Sequence, residues 1–402
     1  MSYRELNFDS ENIVLAMSEV KSMFRMHFGR GCRHVAKRTY NKILAVDFDS
    51  YVNAGRYERT SRRRSYRNGS RQRRLLTQAG EITVTVPRDR DGKYQPDLLE
   101  RYKRVDRGLD EVIRRMFLCG VSTRKVGDIL EVLCGARLSP SYVSKVNKEL
   151  DGAVKEFMNS PIDDDFKFLF LDALTIKVRM ELRTKKYMLL VAYGIRSDGS
   201  RSLIGFQRAK SESYACWNSF LENLRVRGLA GKNLKLVVMD GAAGLWKAVE
   251  EIYPLVEHQL CWVHKLRNVS KYCPKKYREE CMAEATRIMY ASSSAMAAKE
   301  FRQWKRKWQA RIPKAVKCIE DDFDRLIAVF GFPENIRKMI RTTNVIERCF
   351  REVRRRLKVM GYFQNSKSSD RIVYSLFAYF NSKWTRYTET IKQIRDLYKE
   401  AA

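Results

Sequence analysis

The run FKFLFLDALTIKVRM, residues 166–180, leaves a folded chain few choices. It is a long apolar stretch broken by one acid, Asp172. An unpaired carboxylate inside a sheet either gives up its charge or needs a cation. The segments around it keep to a recognisable order. KYMLLVAYGI and SLIGFQRA, separated by the turn SDGS, continue as strands, and SYACWNSFLENLRVRG reads as a helix. LKLVVMDGAAG is a buried strand ending in Asp240 and a glycine turn, LWKAVEEIYP is a helix, and HQLCWV is a fifth strand.

Three strands, helix, strand, helix, strand is the order of an RNase H-like core, a mixed sheet with helices on its faces. From about 263 to 345 the chain is helical and basic without a strand pattern, an all-α insertion, and further helices follow to residue 402. Asp172 and Asp240 on neighbouring strands could share divalent metal at one sheet edge. Two carboxylates hold metals loosely, so a third acid is expected from elsewhere. Glu347, in RTTNVIERCFREVRRRLKV, is the candidate. Spacing alone also allows a plainer role for it, in a capping box with Asn344 or an i,i+4 pair with Arg351. Ile346, Phe350, Val353 and Leu357 make the buried stripe of that helix, with Arg351, Arg354, Arg355, Arg356 and Lys358 set to hold phosphates. Asp163–Asp165 are rivals for the role of Asp172, and the acids of EDDFDR, residues 320–325, for that of Glu347.

The first 160 residues have a different character. Residues 8–50 read as a helix with a stripe of Ile13, Val14, Met17, Val20 and Phe24. RYERTSRRRSYRNGSRQRR, residues 56–74, carries nine arginines with Tyr57 and Tyr66 among them. Arg62, Arg63, Arg64, Arg67, Arg71, Arg73 and Arg74 are taken as nucleic-acid contacts, with a solvated basic loop as the plainer reading. ITVTVP, residues 82–87, alternates like a half-buried strand that Pro87 ends, which makes a β-hairpin region. Residues 108–150 give three helices, with Ser122 and Gly135 bounding the second and Ser139 and Pro140 opening the third. This is a helix-turn-helix signature, with Ser141, Tyr142, Ser144, Lys145 and Lys148 facing outward. An ordinary three-helix bundle is the alternative. The totals favour nucleic acid, since 79 Lys and Arg against 47 acids leave a net charge of +32. No apolar run spans a membrane, and the acidic N-terminus argues for a cytoplasmic protein, associated with the nucleoid through its charge. The nine cysteines read as reduced core thiols; Cys261 and His264 in CWVH have metal-ligand spacing, but one such pair is only half a zinc site.

Taken together, DGAAGLWKAVEEIYP, CWVHKLRNV, TTNVIERCFREVRRRLKVMGYF and, nearer the N-terminus, RNGSRQRRLLTQAGEITVTVPRDRDG closely resemble the Mutator-type family of bacterial insertion-sequence transposases. The resemblance runs in order from about residue 50 to 380. It implies a DDE triad of Asp172, Asp240 and Glu347, two Mg2+ (or Mn2+) ions, and cleavage at terminal inverted repeats followed by strand transfer. It further implies that Cys261 and His264 lie near the active site. Lys265 and Arg267 are taken as further DNA contacts, and because one active site meets one strand at a time while a transposon has two ends, a homodimer or larger assembly acting on transposon ends and target DNA is expected. Ala242 and Ala243 stand where typical members have His and Lys, and Cys349 and Phe350 where smaller or polar residues are common. The expected organisation is a basic DNA-binding and dimerisation region at 1–105, a helix-turn-helix domain at 106–160, an RNase H-like core at 161–265 and 341–402, and a helical insertion at 266–340. A silent DNA-binding regulator and an RNase H-like nuclease or resolvase are the alternatives.

Overall fold

The computed structural model of the protein describes the backbone of residues 10–400 except 102, 181 and 182, and side chains between 29 and 385. The chain divides into two compact units, residues 1–148 and 149–402. The expected N-terminal stripe from Ile13 to Phe24 has side chains outside the described residues.

In the first unit a long helix α1 (Ser10–Val52) packs on a hairpin of β1 (Arg67–Thr77) and β2 (Gly80–Asp89). Leu44 of α1 meets Leu75, Ile82, Val84 and Val86, the inward-facing residues of the alternating strands. Pro87 does not end β2, which continues to Asp89 with Pro87 opposite Ser70. In a two-stranded sheet every strand has a free edge, where a residue without an N–H is tolerated. Three helices follow, α2 (Arg107–Leu118), α3 (Thr123–Cys134) and α4 (Pro140–Lys148), around Leu109, Ile113, Val126, Leu130, Val143 and Val146. Their boundaries are those the sequence predicts. Ser122 Oγ accepts from Lys125 N, Gly135 closes α3 with φ +71°, and Ser139 Oγ accepts from Tyr142 N. Tyr142 does not face outward as expected; it is half-buried and its hydroxyl donates to Asp110 at 2.9 Å.

The second unit opens with α5 (Leu150–Asn159), anchored by a two-pronged contact from Arg371 to Asp151 at 2.6 and 2.8 Å. β3 (Phe166–Met180), β4 (Arg183–Arg196), β5 (Arg201–Ala209), α6 (Tyr214–Val226), β6 (Leu236–Met239), α7 (Ala243–Ile252) and β7 (Glu257–Leu260) follow. The sheet order is β5-β4-β3-β6-β7, antiparallel among the first three strands and parallel from β3 through β7. The last strand is shorter than HQLCWV, because Cys261 ends it and Trp262 begins α8 (Trp262–Tyr272). Helices α9 (Lys275–Met289), α10 (Ser294–Trp308), α11 (Pro313–Glu320), α12 (Phe323–Ile327) and α13 (Glu334–Ile340) follow without a strand between them. Finally α14 (Asn344–Met360) and α15 (Ser366–Glu400) return to the sheet. No helix among the described residues is long and apolar enough to cross a membrane.

One close approach fixes how the link before α6 meets the first turn of α7. A Cβ added to Gly244 would fall 2.6 Å from Tyr214 N and 2.8 Å from Glu212 O, both backbone atoms that cannot rotate away. Gly244→Ala is therefore expected to cost roughly 1–3 kcal/mol, as overpacking usually does. Calorimetry should show the second unit melting several degrees lower; an unchanged melting temperature would mean the two helices can part without loss.

Candidate metal centre at the sheet edge

β3 is the middle strand of five, so its first half is buried on both faces and Asp172 is only 4% exposed. Its Oδ1 accepts from Ala173 N at 2.8 Å, while Oδ2 is buried without a hydrogen-bond partner. Burial pushes the Asp172 carboxyl up to about 7, against the opposing pull of His264. Asp240 stands just past the C-terminal end of β6. Phe170 of β3 pairs with Val238 of β6, so extending the parallel register by two residues brings Asp172 and Asp240 level. Neighbouring strands are about 4.8 Å apart. Asp240 Oδ1 accepts from Ala242 N at 3.1 Å, which turns the chain into α7.

Glu347 arrives from far along the chain because α14 is tied to the sheet at both ends. At its start, Thr343 N and Oγ1 each lie 3.4 Å from the Cys261 sulfur, and Cys261 N donates to Met239 O at 2.8 Å. Beyond its end, Phe363 N donates to Lys177 O and Arg179 N to Phe363 O, extending the edge of β3. Ile346, Cys349, Phe350 and Val353 are the buried face, with Leu357 half-buried. No side chain caps α14, so Glu347 is not part of a capping box. Instead its two oxygens accept from Arg267 Nη1 and Nη2 at 2.5 and 2.9 Å, and His264 Nε2 lies 3.4 Å from Oε1. Burial raises the Glu347 carboxyl, but Arg267 and His264 outweigh it and hold it below its ordinary value.

Ligand atoms of Asp172, His264 and Glu347 all lie within 4.8 Å of one another. The Cys261 thiol beside His264 holds that imidazole up at about 9, with Asp172 and Asp240 adding to the effect and burial opposing it. Burial pushes the Cys261 thiol up, yet its hydrogen bonds to His264 and Thr343 prevail and leave it below the ordinary thiol value. A hard divalent cation suits this donor set, which is mostly carboxylate oxygen and includes one buried, unsatisfied oxygen. Thr343 was not singled out from sequence, and Arg267, expected as a DNA contact, instead forks onto Glu347. The one available signal was TTN directly ahead of an acid-bearing helix.

Five of the rival acids are engaged elsewhere. Asp164 accepts from Gly231 N and Lys232 N at 3.0 Å, Asp165 binds Ser197, and Asp163 pairs with Arg196, all near the N-terminal end of β3. Glu320 pairs with Lys305 and Asp322 with Lys265. The last pair corrects an expectation: Lys265 is buried and donates to Asp322 and to Cys318 O, so it does not face a ligand. Among the other basic candidates, Arg62, Arg64, Arg71, Arg74, Lys145, Lys148, Arg351, Arg354, Arg355 and Lys358 are exposed. Arg63 stacks on Tyr66, and Ser141 is exposed while Ser144 is half-buried. Arg67 is engaged with Asp49 and Ala54 O, Arg73 with the carbonyls of Glu100 and Lys103, and Arg356 with Glu352.

The raised Asp172 carboxyl has a consequence for stability. Between about pH 4 and 7 the folded protein keeps a proton that the unfolded chain has lost, so this residue's contribution to stability falls as pH rises through that window. Above it the buried charge costs up to a few kcal/mol. Asp172→Asn should therefore raise the melting temperature of metal-free protein at pH 8 and have little effect near pH 4. A variant less stable than the parent at pH 8 would contradict this.

The pattern described as "Transposase, Mutator family" matches residues 11–387. The transposase for insertion sequence element ISRM5 of Rhizobium meliloti (strain 1021) is 35% identical over 88% of this chain and 88% of its own length. That for IS256 in transposon Tn4001 of Staphylococcus aureus is 33% identical, over 88% and 90%. That for IS1081 of Mycobacterium tuberculosis is 33% identical, over 85% and 82%. Among solved structures, the Drosophila P element transposase strand transfer complex superimposes with a TM-score of 0.30 at 12% identity, over 70% of this chain and 80% of that one, too loosely to bear on the fold. By pattern and by relatives alike, this chain belongs to the Mutator family of transposases.

Proposed function

We propose that the protein is the DDE transposase of an insertion sequence, acting on DNA through an RNase H-like core. The observation that carries this reading is the convergence of Glu347 with Asp172 at one sheet edge, level with Asp240, although 107 residues (347 − 240) separate the second and third acids. Asp172, Asp240 and Glu347 would hold two Mg2+ or Mn2+ ions. When bound, such ions supply Lewis acidity for a phosphodiester and lower the pKa of an attacking water or 3′-hydroxyl. The chain's own residues do the positioning. The Cys261–Thr343 contact and the Phe363 bridge hold the α14 backbone in place, and the burial of β3 keeps bulk water from Asp172. Arg267, once released from Glu347, offers a guanidinium fork suited to a phosphate.

End recognition falls to α2–α4, read as a helix-turn-helix with Ser141, Lys145 and Lys148 outward, and to the exposed arginines of the hairpin region. Two transposon ends must be brought together, so the working form is a homodimer or a larger assembly. Terminal inverted repeats and target DNA are its substrates, and its net charge of +32 favours association with the nucleoid.

Two experiments test this. Asp240→Asn and Glu347→Gln should lower Mg2+-dependent cleavage of end DNA by about three orders of magnitude or more, with DNA affinity in EDTA retained. Equal cleavage by the variants and the parent would remove the enzyme reading and leave a DNA-binding regulator. Separately, Arg354→Ala and Arg355→Ala should weaken binding to all DNA sequences alike and reduce the salt slope of log K by about 1 each. An unchanged slope would take α14 off the DNA path.

A further inference from the structure

A fourth carboxylate, one that no motif in the sequence points to, stands near the metal centre. Glu212 lies in the short link between β5 and α6. Its backbone is fixed rather than loose. Its carbonyl and the adjoining Ser213 and Tyr214 backbone close on Gly244, in the first turn of α7, which begins directly after the Asp240 turn. Tyr214 adds two side-chain ties to α7, a hydroxyl bonded to Glu251 and a ring beneath Lys247 at 4.9 Å. The Glu212 side chain is half-buried, within electrostatic reach of Asp240 and His264. Among the described residues it has no hydrogen-bond or ion-pair partner. Glu347 and Asp322, also half-buried, are by contrast paired with Arg267 and Lys265. Burial, and then the charge of Asp240, raise its carboxyl above the ordinary value.

The neighbouring acids add to the case. Asp172 Oδ2 is buried and unpartnered, Glu347 is neutralised by Arg267, and, among the described residues, the one cationic group within electrostatic reach of both Asp240 and Glu212 is His264. A half-buried acid kept unpaired beside other acids costs stability unless a cation is shared among them. We propose that Glu212 is a metal-binding residue of this centre, supplying a carboxylate to the divalent cation held at Asp240. This rests on the metal-dependent reading of the site given above, and it adds a ligand outside the Asp-Asp-Glu set.

The test is Mn2+ binding by titration calorimetry on the full chain without DNA, comparing the parent with Glu212→Gln, Glu212→Asp, Asp240→Asn and the exposed-acid control Glu131→Gln. Glu212→Gln should weaken Mn2+ binding about 10- to 100-fold. Glu212→Asp should recover part of the loss, and Glu131→Gln should match the parent. Since Gln keeps the shape and removes only a buried charge, Glu212→Gln should melt no lower than the parent in EDTA and bind DNA equally well there. Parent-like Mn2+ binding by Glu212→Gln with weakened binding by Asp240→Asn would overturn the proposal and leave the proposed function standing. Parent-like binding by both would overturn the metal centre itself. Should Glu212→Gln fail to fold, parent-like Mn2+ binding by Glu212→Asp would count against the proposal, because a carboxylate one methylene shorter does not keep the same ligand geometry.

Discussion

A carboxylate in the middle strand of a sheet, with one oxygen lacking any partner, is the constraint around which the second unit is arranged. An apolar side chain of Asp172's size would avoid the cost of burying a carboxyl there, and its neighbours Leu171, Ala173 and Leu174 are all apolar. On the metal-binding reading proposed above, it offers in exchange a buried oxygen with no hydrogen-bond partner, which a divalent cation would meet without competing hydration. The rest of the unit can be understood as bringing further donors to that oxygen. The β3–β6 pairing delivers Asp240, α8 delivers His264, and α14 delivers Glu347.

Delivering Glu347 is the hardest of these, because helices α8 to α13 lie between it and the sheet in sequence. The solution is local. The Cys261 sulfur accepts twice from Thr343, so the end of β7 and the start of α14 are tied side by side. Cys261 thus has a structural reason to be a thiol of this size and polarity, independent of any metal chemistry. His264, in the first turn of α8, then faces Glu347, and Arg267 on the same face neutralises it. Arg267 thus compensates the charge of Glu347, the one acid of the group with a guanidinium on it.

Much of this was legible in the sequence, and the exceptions share a cause. The strands from Phe166 to Leu260 were readable because a covered sheet demands near-continuous apolar runs, and the helix ends at Ser122, Gly135, Ser139 and Pro140 because caps are local chemistry. What could not be read was the direction of individual side chains. Lys265 and Arg267 sit on one helix two residues apart, yet one is buried against Asp322 and the other reaches Glu347. Tyr142 turns inward because Asp110, 32 residues earlier, accepts its hydroxyl. Glu347 looked like a capping acid by spacing, and only its distant partners decide otherwise. Pairings across 30 or more residues leave no periodic trace, and that is where sequence reasoning ran out.

The most direct test of the central claim is a crystal structure of the protein soaked in Mn2+, with anomalous differences measured at the manganese absorption edge. The account predicts a strong peak bounded by Asp172 and Asp240 carboxylates, with Glu347 turned from Arg267 toward it. No peak at that sheet edge, with Glu347 still forked onto Arg267 at saturating Mn2+, would contradict it.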